Sequence, residues 1–345
     1  MVPPTLNYTS AGSDQGSFFT DGFAVVGVGT AFGYLDPNGN LLDGSTYLNA
    51  FPFDEVSHLA LIQKDDGTYA YIDPSGAEKI TSINGAPFTD QKYHPSGFTN
   101  GLAVITDMSA GFSMGPDAVI DAAGNVLIPF DDTNVYKYQI SGGVILRFKG
   151  QNPNPVPDAV LNTSGSVLFS VPKDVGAVSG FENGVGFFEE DTADGPLYGL
   201  MDTTGEKLTG AIYASQAPDS PGFCDGVALV VPASDPETME LINPDGHVLL
   251  QTYVKQASIT DNTVVIGSTL YSTAGAKIKG TDMDSIGGFS NGIAACEKGG
   301  KYGLIDTEGN VVIAPTWAAD TFNYSEGLAV VVQNGKMGVL QITKS

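Results

Sequence analysis

The sequence predicts an all-β fold built from tandem repeats. Three observations carry the prediction: a recurring Asp-x-x-Gly turn, an apolar strand on each side of it, and a second glycine-containing motif upstream of each hairpin. Aligned on its last residue, the turn reads Asp36-Pro37-Asn38-Gly39, Asp73-Pro74-Ser75-Gly76, Asp121-Ala122-Ala123-Gly124, Asn162-Thr163-Ser164-Gly165, Asp202-Thr203-Thr204-Gly205, Asn243-Pro244-Asp245-Gly246, Ser272-Thr273-Ala274-Gly275 and Asp306-Thr307-Glu308-Gly309. Successive glycines are 37, 48, 41, 40, 41, 29 and 34 residues apart, a mean of about 39. Repetition at such a period is the mark of a repeat architecture.

Each residue type in the turn has a physical reason. Asp, Asn or Ser accepts backbone N–H bonds, Pro or Thr suits the first helical φ, and Gly takes the left-handed position, so a type I turn with a glycine bulge is expected. Apolar strands such as Tyr71-Ile72, Val119-Ile120, Leu200-Met201 and Leu304-Ile305 precede the turns, and Val126-Leu127-Ile128, Val248-Leu249-Leu250 and Val311-Val312-Ile313 follow them.

The upstream motif is an aromatic, a polar turn ending in Gly, and a strand that begins with a small residue. It reads Phe19-Thr20-Asp21-Gly22-Phe23-Ala24, Phe98-Thr99-Asn100-Gly101-Leu102-Ala103, Phe181-Glu182-Asn183-Gly184-Val185-Gly186, Phe223-Cys224-Asp225-Gly226-Val227-Ala228 and Phe289-Ser290-Asn291-Gly292-Ile293-Ala294, with a looser copy from Phe322 to Ala329. The small residue admits close approach of neighbouring backbone. Three copies are degenerate: 53–60 lacks the glycine, and 141–146 and 260–266 lack the Phe.

Each unit thus supplies about three strands, with a fourth in the variable segment before the Phe. After Leu328–Val332 and Met337–Ile342 the chain ends without a third strand, while Val2-Pro3-Pro4-Thr5-Leu6 resembles the strand exit Ile313-Ala314-Pro315-Thr316-Trp317. Pairing of the two termini would hide two sheet edges. The expected architecture is one domain over residues 1–345, a propeller-like ring of about eight units with paired termini; an open β-superhelix of hairpin repeats is the alternative.

Composition narrows the function. Against 15 basic residues stand 39 acidic ones, a net charge of −24, which repels nucleic acid and anionic lipid heads. No apolar run reaches the roughly 18 residues of a membrane span, so membrane insertion is not expected. Little lysine and much Asn, Thr, Ser and Gly point to an extracellular or cell-surface protein whose leader is outside this sequence, with a cytoplasmic one as the alternative. Cys224 and Cys296 form no CxxC or Cys/His cluster, and His58, His94 and His247 belong to no metal or nucleophile motif, so neither metal nor cofactor is expected.

Residues 302–315 (Tyr302-Gly303-Leu304-Ile305-Asp306 through Pro315), followed by Phe322 and Ser325-Glu326-Gly327-Leu328-Ala329, resemble the WG (KWG) repeat of bacterial proteins. The resemblance is strongest over 289–342 and recurs around 19–42 and 181–208. Tyr302, Tyr198, Phe32 and Met337 stand where the family has its Trp, and the single Trp of the chain, Trp317, lies elsewhere. The resemblance implies a bacterial β-repeat protein, secreted or at the surface, and carries over no catalytic residue.

Candidate sites are few. Asp36–Asn40 and Asn243–Gly246 superficially resemble calcium loops without the later Glu of an EF-hand, and a plain hairpin turn is the favoured reading. The carboxylates Glu189-Glu190-Asp191 read as a solvated loop, Lys149–Pro157 as a Pro-rich hairpin loop, and the many glycines as turn residues. Aromatics in the variable segments, Phe88, Tyr93, Tyr136, Tyr138, Tyr213, Tyr253 and Trp317, are the candidate ligand-binding face, unless they plug the core between units. The expectation is a non-enzymatic binding or scaffold protein that recognises a protein, peptide or glycan; a hydrolase or lyase with an acidic site in a central funnel is the alternative.

Overall fold

A computed structural model describes residues 2–10, 18–109, 115–150, 156–193, 195–216, 222–254, 256–318 and 321–341. Among them the chain is all-β, with one 3-10 turn at Leu42–Gly44 and no α-helix. Part of the Pro-rich loop, 151–155, lies outside the described residues. The chain divides into two compact units, Met1–Tyr138 with Trp317–Ser345, and Gln139–Thr316.

Among the described residues the strands form nine groups, four in the first unit and five in the second, where the turn count led to an expectation of about eight. The ninth group lacks the Asp-x-x-Gly turn because the two ends of the chain build it. Thr321–Ser325, Leu328–Gln333 and Lys336–Gln341 are completed by Val2–Leu6, antiparallel to the last of them, with Val2 opposite Val339 and Leu6 opposite Met337. A regular group is Tyr93–Pro95, Leu102–Asp107, Asp117–Asp121 and Val126–Ile128 in the first unit, or Ala257–Thr260, Thr263–Ile266, Thr269–Ser272 and Lys277–Gly280 in the second. Two groups of the second unit share a seven-stranded sheet, joined through Tyr198 and Tyr213.

Within each unit, neighbouring groups stack face to face as propeller blades do, and the core is the series of layers between them. In the first unit one layer joins Phe19, Val26 and Leu35 to Val330, Met337 and Val339. In the second, one joins Phe187 and Leu200 to Phe223, Val230 and Ile242, and another joins Val265 and Leu270 to Phe289, Cys296 and Ile305.

The Asp-x-x-Gly turns have the expected geometry. Their glycines lie at φ between +77° and +85°, and the ladder slips register beside the turn, where Val119 and Ile120 pair with Ile128 and Val126, and Leu241 and Ile242 with Leu250 and Val248. Where the first turn residue is Asp, it accepts N–H bonds from the second and fourth residues that follow it: Asp36 from Asn38 at 2.9 Å and Asn40 at 2.8 Å, and Asp306 from Glu308 at 3.1 Å and Asn310 at 2.7 Å. Packing adds a second demand for glycine. A Cβ on Gly205 would stand 2.8 Å from the Phe169 ring, and one on Gly275 2.5 Å from the Leu249 carbonyl oxygen, so each turn rests on the last strand of the preceding group.

The upstream motifs are tight turns with two residues at positive φ, +51° and +78° at both Asp21-Gly22 and Asn100-Gly101, the type I′ geometry that Asn and Asp tolerate before Gly. The small residue after them has a contact reason: a Cβ on Gly186 would meet the Phe181 ring at 2.7 Å.

Candidate functional site

The aromatics named from the sequence separate into core and surface. Tyr93 and Tyr213 depart from the expectation of an exposed face: they are 8% and 3% exposed and belong to the layers between groups, as does the fully buried Phe88. Tyr93 stacks on Phe130 with ring centroids 5.2 Å apart, and Lys92 Nζ lies 4.7 Å from its ring. The cause is the position of these residues in or next to the first strand of a group, which faces the neighbour's apolar side. Tyr136 and Tyr138 alternate along Tyr136–Ser141, half-buried, with centroids 6.5 Å apart. Trp317 is half-buried, and Tyr253, 77% exposed, stands in the open. Tyr136 and Tyr138 are thus the pair that the fold brings together.

Acidic residues of the upstream turns hold neighbouring groups together. In the first unit Glu326 accepts the N–H groups of Asp21 and Gly22 at 2.9 and 2.8 Å, Asp21 meets His58 Nδ1 at 2.8 Å, and Asp54 accepts the N–H of Gly101 at 3.0 Å. In the second unit Asp225 accepts the N–H of Asn262 at 2.8 Å, and Asp261 accepts that of Gly292. The degenerate copy at 53–60 therefore still ties both of its neighbours. These bonds also account for part of the acidic excess, because a carboxylate is the strongest acceptor available for a free turn N–H.

One buried carboxylate was not legible as a site. Asp117, 4% exposed, accepts from Thr106 Oγ1 at 2.8 Å, Lys137 Nζ at 2.9 Å and the N–H of Tyr138 at 3.0 Å, so it fixes the start of Tyr136–Ser141. Burial, then the nearby Asp225 and Glu182, pushes the Cys224 thiol up to about 11, and burial does the same for Cys296; both stay protonated near neutrality and are poor nucleophiles. His94 meets Asp90 at 3.0 Å, and the N–H of His247 is donated to Asn243 within its turn. Among the described residues no group of three or more His, Cys, Asp or Glu is placed to hold a metal ion.

The turn carboxylates make stability depend on pH. The Ser75 hydroxyl and the Lys79 ammonium hold Asp73 far below the usual carboxylate range, and the Thr204 hydroxyl, with backbone N–H groups, lowers Asp202. In the unfolded chain these groups return to roughly 3.9 and bind more protons in acid, so their contribution is complete above about pH 5 and is lost as pH falls. A melting temperature steady from about pH 7 to 5 and falling below about pH 4 is expected in a scanning fluorimetry series; a flat profile down to about pH 2.5 would contradict this role for the turns.

Two clefts lie at the first strands of groups. In the first unit, one of about 490 Å³ is lined by Phe51, Asp54, Val56, Phe98 and Asn100, and by Thr20, whose buried Oγ1 has no hydrogen-bond partner. In the second unit, one of about 460 Å³ opens between 256–258 and 283–288.

Comparison with known proteins bears on the same region as the second cleft. The family described as WG containing repeat matches residues 284–302 and 302–336. These residues are WG repeats. The first match covers Ser285–Ser290 and Ile293–Lys298, and the second runs from Lys301–Asp306 and Val311–Trp317 into Thr321–Ser325 and Leu328–Gln333 of the group that the termini complete, so the second match spans the last two strands of one group and the first two of the next. No curated protein matches the chain. Among solved structures, dipeptidyl peptidase 4 of Porphyromonas gingivalis aligns at a TM-score of 0.50 and 12% identity over 80% of this chain and 54% of that one, a likeness of fold alone. The computationally designed Ika8 protein aligns at 0.46 and 13% identity over 98% of this chain and 100% of its own, and the Dos1 propeller at 0.37 and 12% over 99% and 96%.

Proposed function

We propose that this WG-repeat chain is a non-enzymatic binding or scaffold protein, outside a bacterial cell or on its surface, that recognises a protein, peptide or glycan. The observation that carries the reading is the repeated exposure of apolar side chains on the last strand of the groups. In the second unit Val167, Leu168, Val248, Ile278, Val311 and Val312 are 40–50% exposed, each two or three residues after a turn glycine. A surface tuned only for solubility scatters its apolar residues, whereas regular repetition on sheet edges suits a partner. The engagement of turn carboxylates and of the His58 and His94 rings in internal bonds supports binding over catalysis.

The test is an array of peptides, proteins and glycans probed with the labelled chain, beside chromogenic glycosidase, esterase and peptidase substrates. Saturable binding without turnover is expected. Turnover that co-purifies with the chain, with no array binding, would favour the hydrolase or lyase reading.

A further inference from the structure

The cleft of the second unit carries an inference about what is bound and how. Ala257–Thr260 and Ser285–Ser290 each come first in their sheets, so among the described residues each has an edge without a strand partner. The two strands touch, and the Phe289 N–H donates to Thr260 Oγ1 at 2.8 Å. Beside that bond lies the cleft of about 460 Å³, within the range of ligand sites. Val265, Ala257 and Met283, 3–7% exposed, give it apolar lining, and Gln256, Ser258, Asp284 and Ser285 give it polar lining.

Gly287 and Gly288 form one wall, and neither a left-handed φ nor a close packing contact requires glycine there. They sit at a register shift between Ile286 and Phe289, both are exposed, and neither has the left-handed φ that excludes other residues. A Cβ would find its nearest neighbour at 3.6 Å on Gly287 and 3.4 Å on Gly288, ordinary contact distances. Gly180, in the matching irregular stretch of Ala177–Glu182, differs, with φ +62°. Glycine at such an irregularity, exposed and clear of close contacts, leaves bare peptide where another backbone can approach.

We infer, resting on the binding reading above, that this cleft takes an extended cationic peptide segment of a partner protein. Its main chain pairs along the bare Gly287-Gly288 edge, the way peptides augment a sheet, and a small apolar side chain enters over Val265 and Met283. The charge preference follows from Asp284 in the lining, from Glu297, which accepts from Ser285 at 3.3 Å, and from the net charge of −24. Among the described residues, Lys298 near the cleft is paired with Asp282. A glycan fits less well, because among the described residues no aromatic ring lines the cleft for a sugar to stack on.

The test uses two sets of blocked fluorescent hexapeptides, one alternating Lys or Arg with Val or Ala, the other with Glu in place of Lys and Arg, titrated by fluorescence polarisation. The full chain is compared with its Gly287→Val/Gly288→Val variant, which has the same charge and fills the wall with strand-compatible side chains. Expected are a preference of about tenfold or more for the cationic set, a loss of about tenfold or more in the variant with an unchanged melting temperature, and slower amide exchange over 285–290 in the unmodified chain when peptide is added. Exchange is read without any substitution, so misfolding of the variant cannot hide the answer. Equal binding of both sets, or cationic binding that leaves 285–290 unprotected, overturns the cleft assignment while the broader binding reading stands. Binding of neither set also overturns it, and the array then decides the broader reading.

Discussion

Gly275→Val lowers stability by about 3–5 kcal/mol, whereas Gly309→Val costs about 1–3 kcal/mol, both measured by chemical denaturation. The two glycines occupy the same turn position at nearly the same φ, +77° and +78°. A β-branched residue forced into that region costs on the order of 1–3 kcal/mol at either site. The difference lies in the neighbour. A Cβ on Gly275 meets the Leu249 carbonyl oxygen at 2.5 Å, and backbone held in a sheet cannot move aside cheaply. On Gly309 it meets Lys279 Cδ at 2.7 Å, an exposed outer carbon that can swing away, with Lys279 Cβ behind it at 3.0 Å. Equal costs at the two sites would mean that the turns do not rest on the preceding group as described.

The same pair shows what a sequence can reveal. That glycine is needed at 275 and 309 was legible because a left-handed turn restricts residue type; that Gly275 also touches Leu249 was not, because the partner is a carbonyl oxygen and any residue has one. The carboxylate ties from Asp54, Asp225, Asp261 and Glu326 were invisible for the same reason, since their partners are backbone N–H groups. Asp117 collects Thr106, Lys137 and Tyr138 from separate stretches, and no local pattern announces that. The hairpin Ser82–Ile83 and Ala86–Thr89, with Asn84 and Gly85 at φ +51° and +75°, carried an ordinary turn signal but no counterpart in the repeat frame. For Tyr93 and Tyr213 the sequence left open an exposed face or a plug in the core, and the second holds, because a strand facing a neighbouring group and an exposed loop can carry the same aromatic. Gly287 and Gly288 were absorbed among turn glycines, although neither lies in a turn.

Removal of residues 1–8 is the second large perturbation, with an expected loss of about 2–4 kcal/mol from several ladder bonds at roughly 0.5–1.5 kcal/mol each and from lost apolar contacts. Leu6 and Tyr8 are half-buried against the layer that contains Val330, Met337 and Val339. Without Val2–Leu6, the strand Lys336–Gln341 becomes a free edge, so the shortened chain should also aggregate more readily on heating.

That the two ends of the chain jointly build the ninth group is tested most directly by hydrogen–deuterium exchange with mass spectrometry on the full chain and on the chain lacking residues 1–8. The predicted result is protection of the amides in Lys336–Gln341 comparable to that in Leu328–Gln333 in the full chain, with protection of 336–341 lost on truncation. Rapid exchange of 336–341 in the full chain, or protection that survives the truncation unchanged, would contradict it.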